Sequence, residues 1–94
     1  MEITFDPRKN AKNIRERGLS FSDASRFDWN SMMVEQDTRR DYLEDRFIGY
    51  GMIGERLHCV VFTPTDAGVR IISFRKANNR EIRNYAQYHQ DQKR

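Results

Sequence analysis

The apolar residues of this chain recur at intervals that favour one kind of element at a time. Ile3-Thr4-Phe5 is a short apolar and β-branched run, followed by Asp6-Pro7. Asp before Pro marks a helix start, because the carboxylate caps free amides and proline suits the first helical position. The pattern predicts a helix from about Pro7 to Arg17, ended by Gly18 as a left-handed cap. Its apolar stripe is thin, with Ala11 and Ile14 expected to face the core. Ser20 or Ser22 can then cap a second short helix through about Phe27, in which Phe21, Ala24 and Phe27 recur every third position. Met32 to Gln36 is a candidate strand, and Asp37 to Asp45 reads as an acidic loop.

The next stretch alternates as a β-meander. Phe47 to Ile53 and Leu57 to Thr63 are predicted strands joined by a tight Gly54-Glu55 hairpin, the second of them apolar enough to be central. A loop from Pro64 to Gly68 leads to a last strand, Val69 to Phe74. Gly49 and Gly51 share a face with Phe47 and Ile53, and their missing side chains leave room for a helix to approach. Asn78-Asn79-Arg80-Glu81 starts a closing helix, with Asn78 capping and Glu81 reaching back. Ile82, Tyr85, Ala86 and His89 give it an amphipathic face. The order predicts an α+β fold: about four strands, two N-terminal helices and one C-terminal helix.

Length and composition narrow this picture. A chain of 94 residues is expected to form one domain, and the 12% aromatic share supplies large units of burial. The lone Cys59 cannot form an internal disulfide and has no metal-ligand companions at useful spacing, so it reads as a small buried residue. Neither a hydrophobic leader nor a membrane span is evident, which makes the cytoplasm the expected compartment. Charge is segregated. Residues 8–17 hold five basic side chains and one acid, residues 35–45 hold five acids and two arginines, and residues 70–94 hold seven basic side chains and two acids. Two basic segments around an acidic one suggest a surface that meets a polyanion on one side, with the acidic loop turned away from it.

Conventional catalytic sets are absent. His58 and His89 lie far apart, in an apolar strand and on a helix face, and read as structural. No glycine-rich phosphate loop or nucleophile elbow appears, and no metal or cofactor is implied. What remains is arginine in strands: Arg46 opens one, while Arg70 and Arg75 bracket another. A guanidinium grips phosphate with two prongs and stabilises the extra charge of a pentavalent phosphorane. Such cations can serve an RNA-cleaving site, because the ribose 2′-hydroxyl is itself the nucleophile. The competing reading is that these arginines pair with Glu44, Asp45 or Glu81 and stiffen the sheet. In a regular strand Arg70 and Arg75 also point opposite ways. They can share a site if Arg75 lies beyond the strand end, as expected here, or if a bulge intervenes.

The ordered motifs resemble the BrnT family. Phe5-Asp6-Pro7, Lys9, Asn13 and Arg17-Gly18-Leu19-Ser20-Phe21 match its opening pattern, Arg46 through Gly51 its middle, and Arg70-Ile71-Ile72-Ser73, Arg75, Ala77 and Glu81 its close. In two places the chain departs: the family usually has His at the position of Arg17, and a small residue at that of Phe74, which is expected to crowd the site. The resemblance implies a RelE-like antiparallel sheet and a metal-independent endoribonuclease toxin of a type II toxin–antitoxin system that slows growth by cutting RNA. It also implies a BrnA-type antitoxin partner, with operator DNA bound only through that antitoxin. Lys9, Arg17, Arg46, Arg70 and Arg75 carry over as candidate active-site cations, and Glu81 as a positioning acid or helix cap. The alternative is a non-catalytic module that keeps antitoxin or nucleic-acid binding and has lost cleavage.

Overall fold

The computed structural model describes residues 1–93. Its elements are β1 (Glu2–Phe5), α1 (Pro7–Arg17), a 3-10 helix (Phe21–Arg26), β2 (Met33–Gln36), β3 (Phe47–Ile53), β4 (Arg56–Pro64), β5 (Gly68–Lys76) and α2 (Asn79–Gln92). The strands form one mixed five-stranded sheet in the order β1-β5-β4-β3-β2. The α+β class is as expected, but the sheet is neither four-stranded nor wholly antiparallel. Ile3-Thr4-Phe5 forms β1, which pairs parallel to β5 from Glu2↔Gly68 to Phe5↔Ile71. A four-residue strand whose partner lies more than sixty positions away leaves no hairpin signal in the sequence.

The sheet has an aromatic face and an arginine face. Phe21, Ala24 and Phe27 pack with Val60, Phe62, Val69, Ile71 and Phe74 on the first. The second helix is 3-10 rather than α. Its every-third spacing suits three residues per turn, which stacks Phe21 and Ala24 in one buried row continued by Phe27. Trp29 lies edge-on to both Phe27 and Phe62 and donates its indole N–H to the Ala24 carbonyl. His58 also sits on the aromatic side, 5.5 Å from the Phe74 ring, with its Nδ1 on the Arg56 carbonyl.

Both long helices dock differently from expectation. Ala11 and Ile14 are exposed, and the buried residue of α1 is Asn13. Beyond Ile71 the edge of β5 has no strand beside it, so the Phe74 carbonyl needs another donor. Asn13 Nδ2 supplies it at 2.9 Å and also reaches the Leu19 carbonyl, while Asn10 Oδ1 accepts from the Phe21 N–H. Polar side chains therefore tie this helix down, and hydrophobic periodicity could not reveal its buried face. In α2, Ile82 and Ala86 are exposed, whereas Glu81 is buried and Tyr85 packs against the Tyr50, Leu57, Cys59 and Ala77 cluster. The Asn78–Glu81 capping box forms as expected.

A bulge in β5 decides which residues share a face. Val61 pairs with Ser73 but Phe62 pairs with Ile71, leaving Ile72 as the extra residue. Ile71 and Phe74 thus both reach the aromatic core, although they are three positions apart. Arg70, Ser73 and Arg75 fall on the opposite face. Arg75 lies within β5, which runs to Lys76, so the bulge and not the strand end reconciles the two arginines.

Candidate phosphate-binding site

The arginine face is covered at one end by α2, through Tyr85, and bears a cavity of about 380 Å³. Ile48, Tyr50, Cys59, Val61 and Ser73 form its floor, and Arg17, Arg39, Arg75, Arg80 and Glu81 line the rest. The floor follows from register: Tyr50↔Cys59↔Arg75 and Ile48↔Val61↔Ser73 are rows of side chains on one side of three adjacent strands.

Each arginine has a distinct support. Arg75 meets Glu81 in a two-pronged ion pair, Nη1–Oε1 2.8 Å and Nη2–Oε2 2.9 Å. Arg75 is the main reason Glu81 titrates at about 2; burial opposes the shift, and the Asn78 N–H assists it. Glu81 in turn raises Arg75 further above the usual arginine range. Arg17 comes from the last turn of α1 and donates Nη1 to Asn13 Oδ1 at 3.2 Å and to the Phe74 carbonyl at 3.4 Å. Arg39 is anchored to Asp37 by Nε at 2.8 Å and Nη2 at 2.7 Å. Arg80 sits in the first turn of α2, next to Glu81. Among the described residues neither Arg17 nor Arg80 forms an ion pair.

Four guanidiniums thus face one lining carboxylate, Glu81, with Asp37 behind Arg39, and two positive charges stay uncompensated. Phosphate is a ligand that such planar, permanently charged donors grip with two prongs. Other groups here are poor proton carriers at neutral pH. Burial pushes the Tyr50 hydroxyl up, and it stays protonated as a donor. Burial also pushes the Cys59 thiol up to about 11. The arrangement binds and stabilises negative charge.

The five cations expected from sequence are distributed unevenly. Arg17 and Arg75 line the cavity. Lys9 lies in an adjoining groove of about 240 Å³ that shares Arg17 and Ser73 with it. Arg46 and Arg70 lie on the same sheet face, but both bind Glu44 Oε1, Arg70 at 2.9 Å and Arg46 at 3.4 Å. Loss of water raises the Glu44 carboxyl, and the two guanidiniums outweigh that and lower it. Thr63, the partner of Arg70, and Cys59, the partner of Arg75, are four residues apart on β4, or roughly 13 Å at the usual rise per residue. The expected pairing with Glu44 and Glu81 is present, and the three arginines share one sheet face, but only Arg75 lines the cavity.

Two expectations are overturned. Phe74 is fully buried on the aromatic face, so it does not crowd the cavity. The acidic segment does not turn away from the cationic surface: it contributes Arg39 to the cavity and Glu44 to Arg46 and Arg70. Arg39 and Arg80 escaped the sequence reading, the first hidden among acids and the second read only as part of a helix start. Arg80 carried one legible signal, since its neighbour Glu81 was itself singled out.

Residues 5–81 match the family described as ribonuclease toxin, BrnT, of type II toxin–antitoxin systems. No curated protein matches the chain. Among the described residues no helix is long and apolar enough to cross a membrane. The family match runs from the last residue of β1 through the capping box of α2 and takes in every arginine of the cavity; the chain belongs to the BrnT family of ribonuclease toxins.

Proposed function

We propose that this chain is a metal-independent endoribonuclease that cuts RNA by activating a ribose 2′-hydroxyl against the adjacent phosphate, and thereby inhibits growth. Arg75 and Arg17 hold the scissile phosphate and offset the charge that builds on its oxygens in the transition state. Arg80 adds a further donor, Lys9 contacts a flanking phosphate along the adjoining groove, and Arg46 and Arg70 contact the strand on the other side. The reaction acts in the cytoplasm and is silenced by a BrnA-type antitoxin, which carries the pair to operator DNA.

One observation carries this reading: four guanidiniums line a single cavity, Arg17 from α1, Arg39 from the segment between β2 and β3, Arg80 from α2, and Arg75 from β5, where a bulge sets which face it takes. Glu81 takes Nη1 and Nη2 of Arg75 and keeps the guanidinium flat and aimed, so the phosphate meets its remaining Nε edge. The 2′-oxygen bonds to phosphorus as the bond to the next nucleotide's 5′-oxygen breaks. The 2′-hydroxyl proton passes to water and the departing 5′-oxygen takes a proton from water, so the protein's part is charge stabilisation and alignment.

The test incubates purified, antitoxin-free protein with single-stranded RNA in excess chelator. Fragments ending in 2′,3′-cyclic phosphate are expected, with a 2′-deoxy substitution at the cut position blocking cleavage. Arg75→Ala, folded as judged by circular dichroism, is expected to lose about 10²–10³-fold in rate. Intact RNA at high protein concentration would instead support a non-catalytic, antitoxin-binding module.

A further inference from the structure

The segment between β2 and β3 contains a buried carboxylate that the cleavage scheme does not use. The Asp37 side chain is fully buried, whereas its partner Arg39 is 68% exposed. Around that carboxylate, Arg39 supplies Nε, Nη2 and its own backbone N–H, and the Tyr42 hydroxyl adds a fourth donor. The Asp37 backbone N–H is itself fixed to the Arg46 carbonyl at 2.7 Å. A charge removed from water costs stability unless its partners are well placed. Here the donors lie within two to five residues in the chain or belong to Arg39 itself, so the unit holds one arginine in one orientation. With Nε and Nη2 committed to Asp37, Nη1 is left over, and Arg39 lines the cavity with Arg17, Arg75 and Arg80.

We propose that Arg39 is a substrate-phosphate contact supplied by the acidic segment, and that Asp37 positions it. The inference rests on the RNA-cleaving reading above and adds a binding residue that charge alone would place elsewhere. Arg39 grips a phosphate next to the scissile one, across the cavity from α2, and the segment acts as an arm lying against the RNA. Of the five carboxylates in residues 35–45, Asp37 is paired with Arg39 and Glu44 with Arg46 and Arg70, while Asp41 and Asp45 line a different pocket from Arg39. Arg40 is the natural comparison. It is adjacent, exposed and equally charged, yet it lines a different pocket, with Asp41, Tyr42 and Asp45.

A fluorescent, fully 2′-O-methylated single-stranded oligonucleotide, which the protein cannot cut, serves as the binding probe over a series of salt concentrations. Arg39→Gln is expected to weaken binding about tenfold and to reduce the slope of log affinity against log salt by about one. On a cleavable RNA of the same sequence, KM should rise by a similar factor with kcat within about twofold. Arg40→Gln should change each quantity by less than about twofold. Asp37→Asn removes a negative charge, yet it should weaken binding by releasing Arg39; tighter binding would overturn the positioning role. Should that variant unfold, the Arg39 and Arg40 comparison decides. Equal effects of Arg39→Gln and Arg40→Gln, or none from either, would overturn the inference while Arg75→Ala still abolishes cleavage. If Arg75→Ala binds and cleaves like the parent, the cavity is not the site and both readings fall.

Discussion

Arg75 and Glu81 meet fork to fork, both contacts under 3 Å, and so join the last strand of the sheet to the first turn of the helix that follows it. The same Glu81 carboxylate accepts from the Asn78 N–H, and the Asn78 side chain accepts from the Glu81 N–H. One acid thereby closes a helix cap and aligns a guanidinium at the cavity wall. Because Glu81 is held near 2 instead of its ordinary 4.5, folding depends on its ionisation.

The sign of that dependence follows from linkage. A carboxyl whose folded value is depressed contributes stability that is complete above about pH 4.5 and is lost as pH falls towards 2. Asp37, also held at about 2 chiefly by Arg39, adds a component of the same sign. Glu81→Gln is expected to lower stability at neutral pH by about 1–3 kcal/mol. It should also flatten the decline of the thermal midpoint between about pH 5 and pH 2.5. Parallel acid curves for variant and parent would contradict this.

Phe74→Ala tests which face that residue serves. Phe74 is 0% exposed among Ile71, Val60 and Phe21, so truncation should cost about 3–5 kcal/mol in urea unfolding. A small loss would mean that the ring is not part of the packed core.

Gly51→Ala and Gly49→Ala should differ. A Cβ at Gly51 would lie 2.5 Å from Phe27 Cζ, on a ring wedged in the core. At Gly49 the nearest atom is Met32 Sδ at 3.0 Å, near the end of a flexible side chain. Gly51→Ala is expected to destabilise by about 1–3 kcal/mol, and Gly49→Ala by clearly less. Equal unfolding midpoints for the two would count against the close approach of Phe27.

Cys59 should be silent to thiol reagents. It is buried beneath the cavity, and burial pushes its thiol up to about 11, so little thiolate exists at pH 8. Labelling by a disulfide reagent at about pH 8 should therefore track global unfolding in urea. Fast labelling of the native protein would show that the cavity floor opens.

The sequence made the ends of elements plain where a cap or turn fixes them locally. Asp6-Pro7, Gly18, Gly54-Glu55 and Asn78–Glu81 act through backbone groups a few residues away, and each lies where the pattern places it. The arginine and glycine motifs likewise pointed to the family. Buried faces were less legible when polar groups made them. The hold of Asn13 on Phe74, and of Asp37 on Arg39, has no hydrophobic period to betray it.

The sequence by itself determined the α+β class, the caps, the meander and the abundance of strand-borne cations, because each depends on neighbours along the chain. Tertiary structure alone decided that β1 joins β5, that Ile72 bulges, and that Arg17, Arg39, Arg75 and Arg80 surround one cavity. The reason is the pleat. With side chains alternating every residue, one extra position turns half a strand over, and the choice between two faces is made by what packs against them.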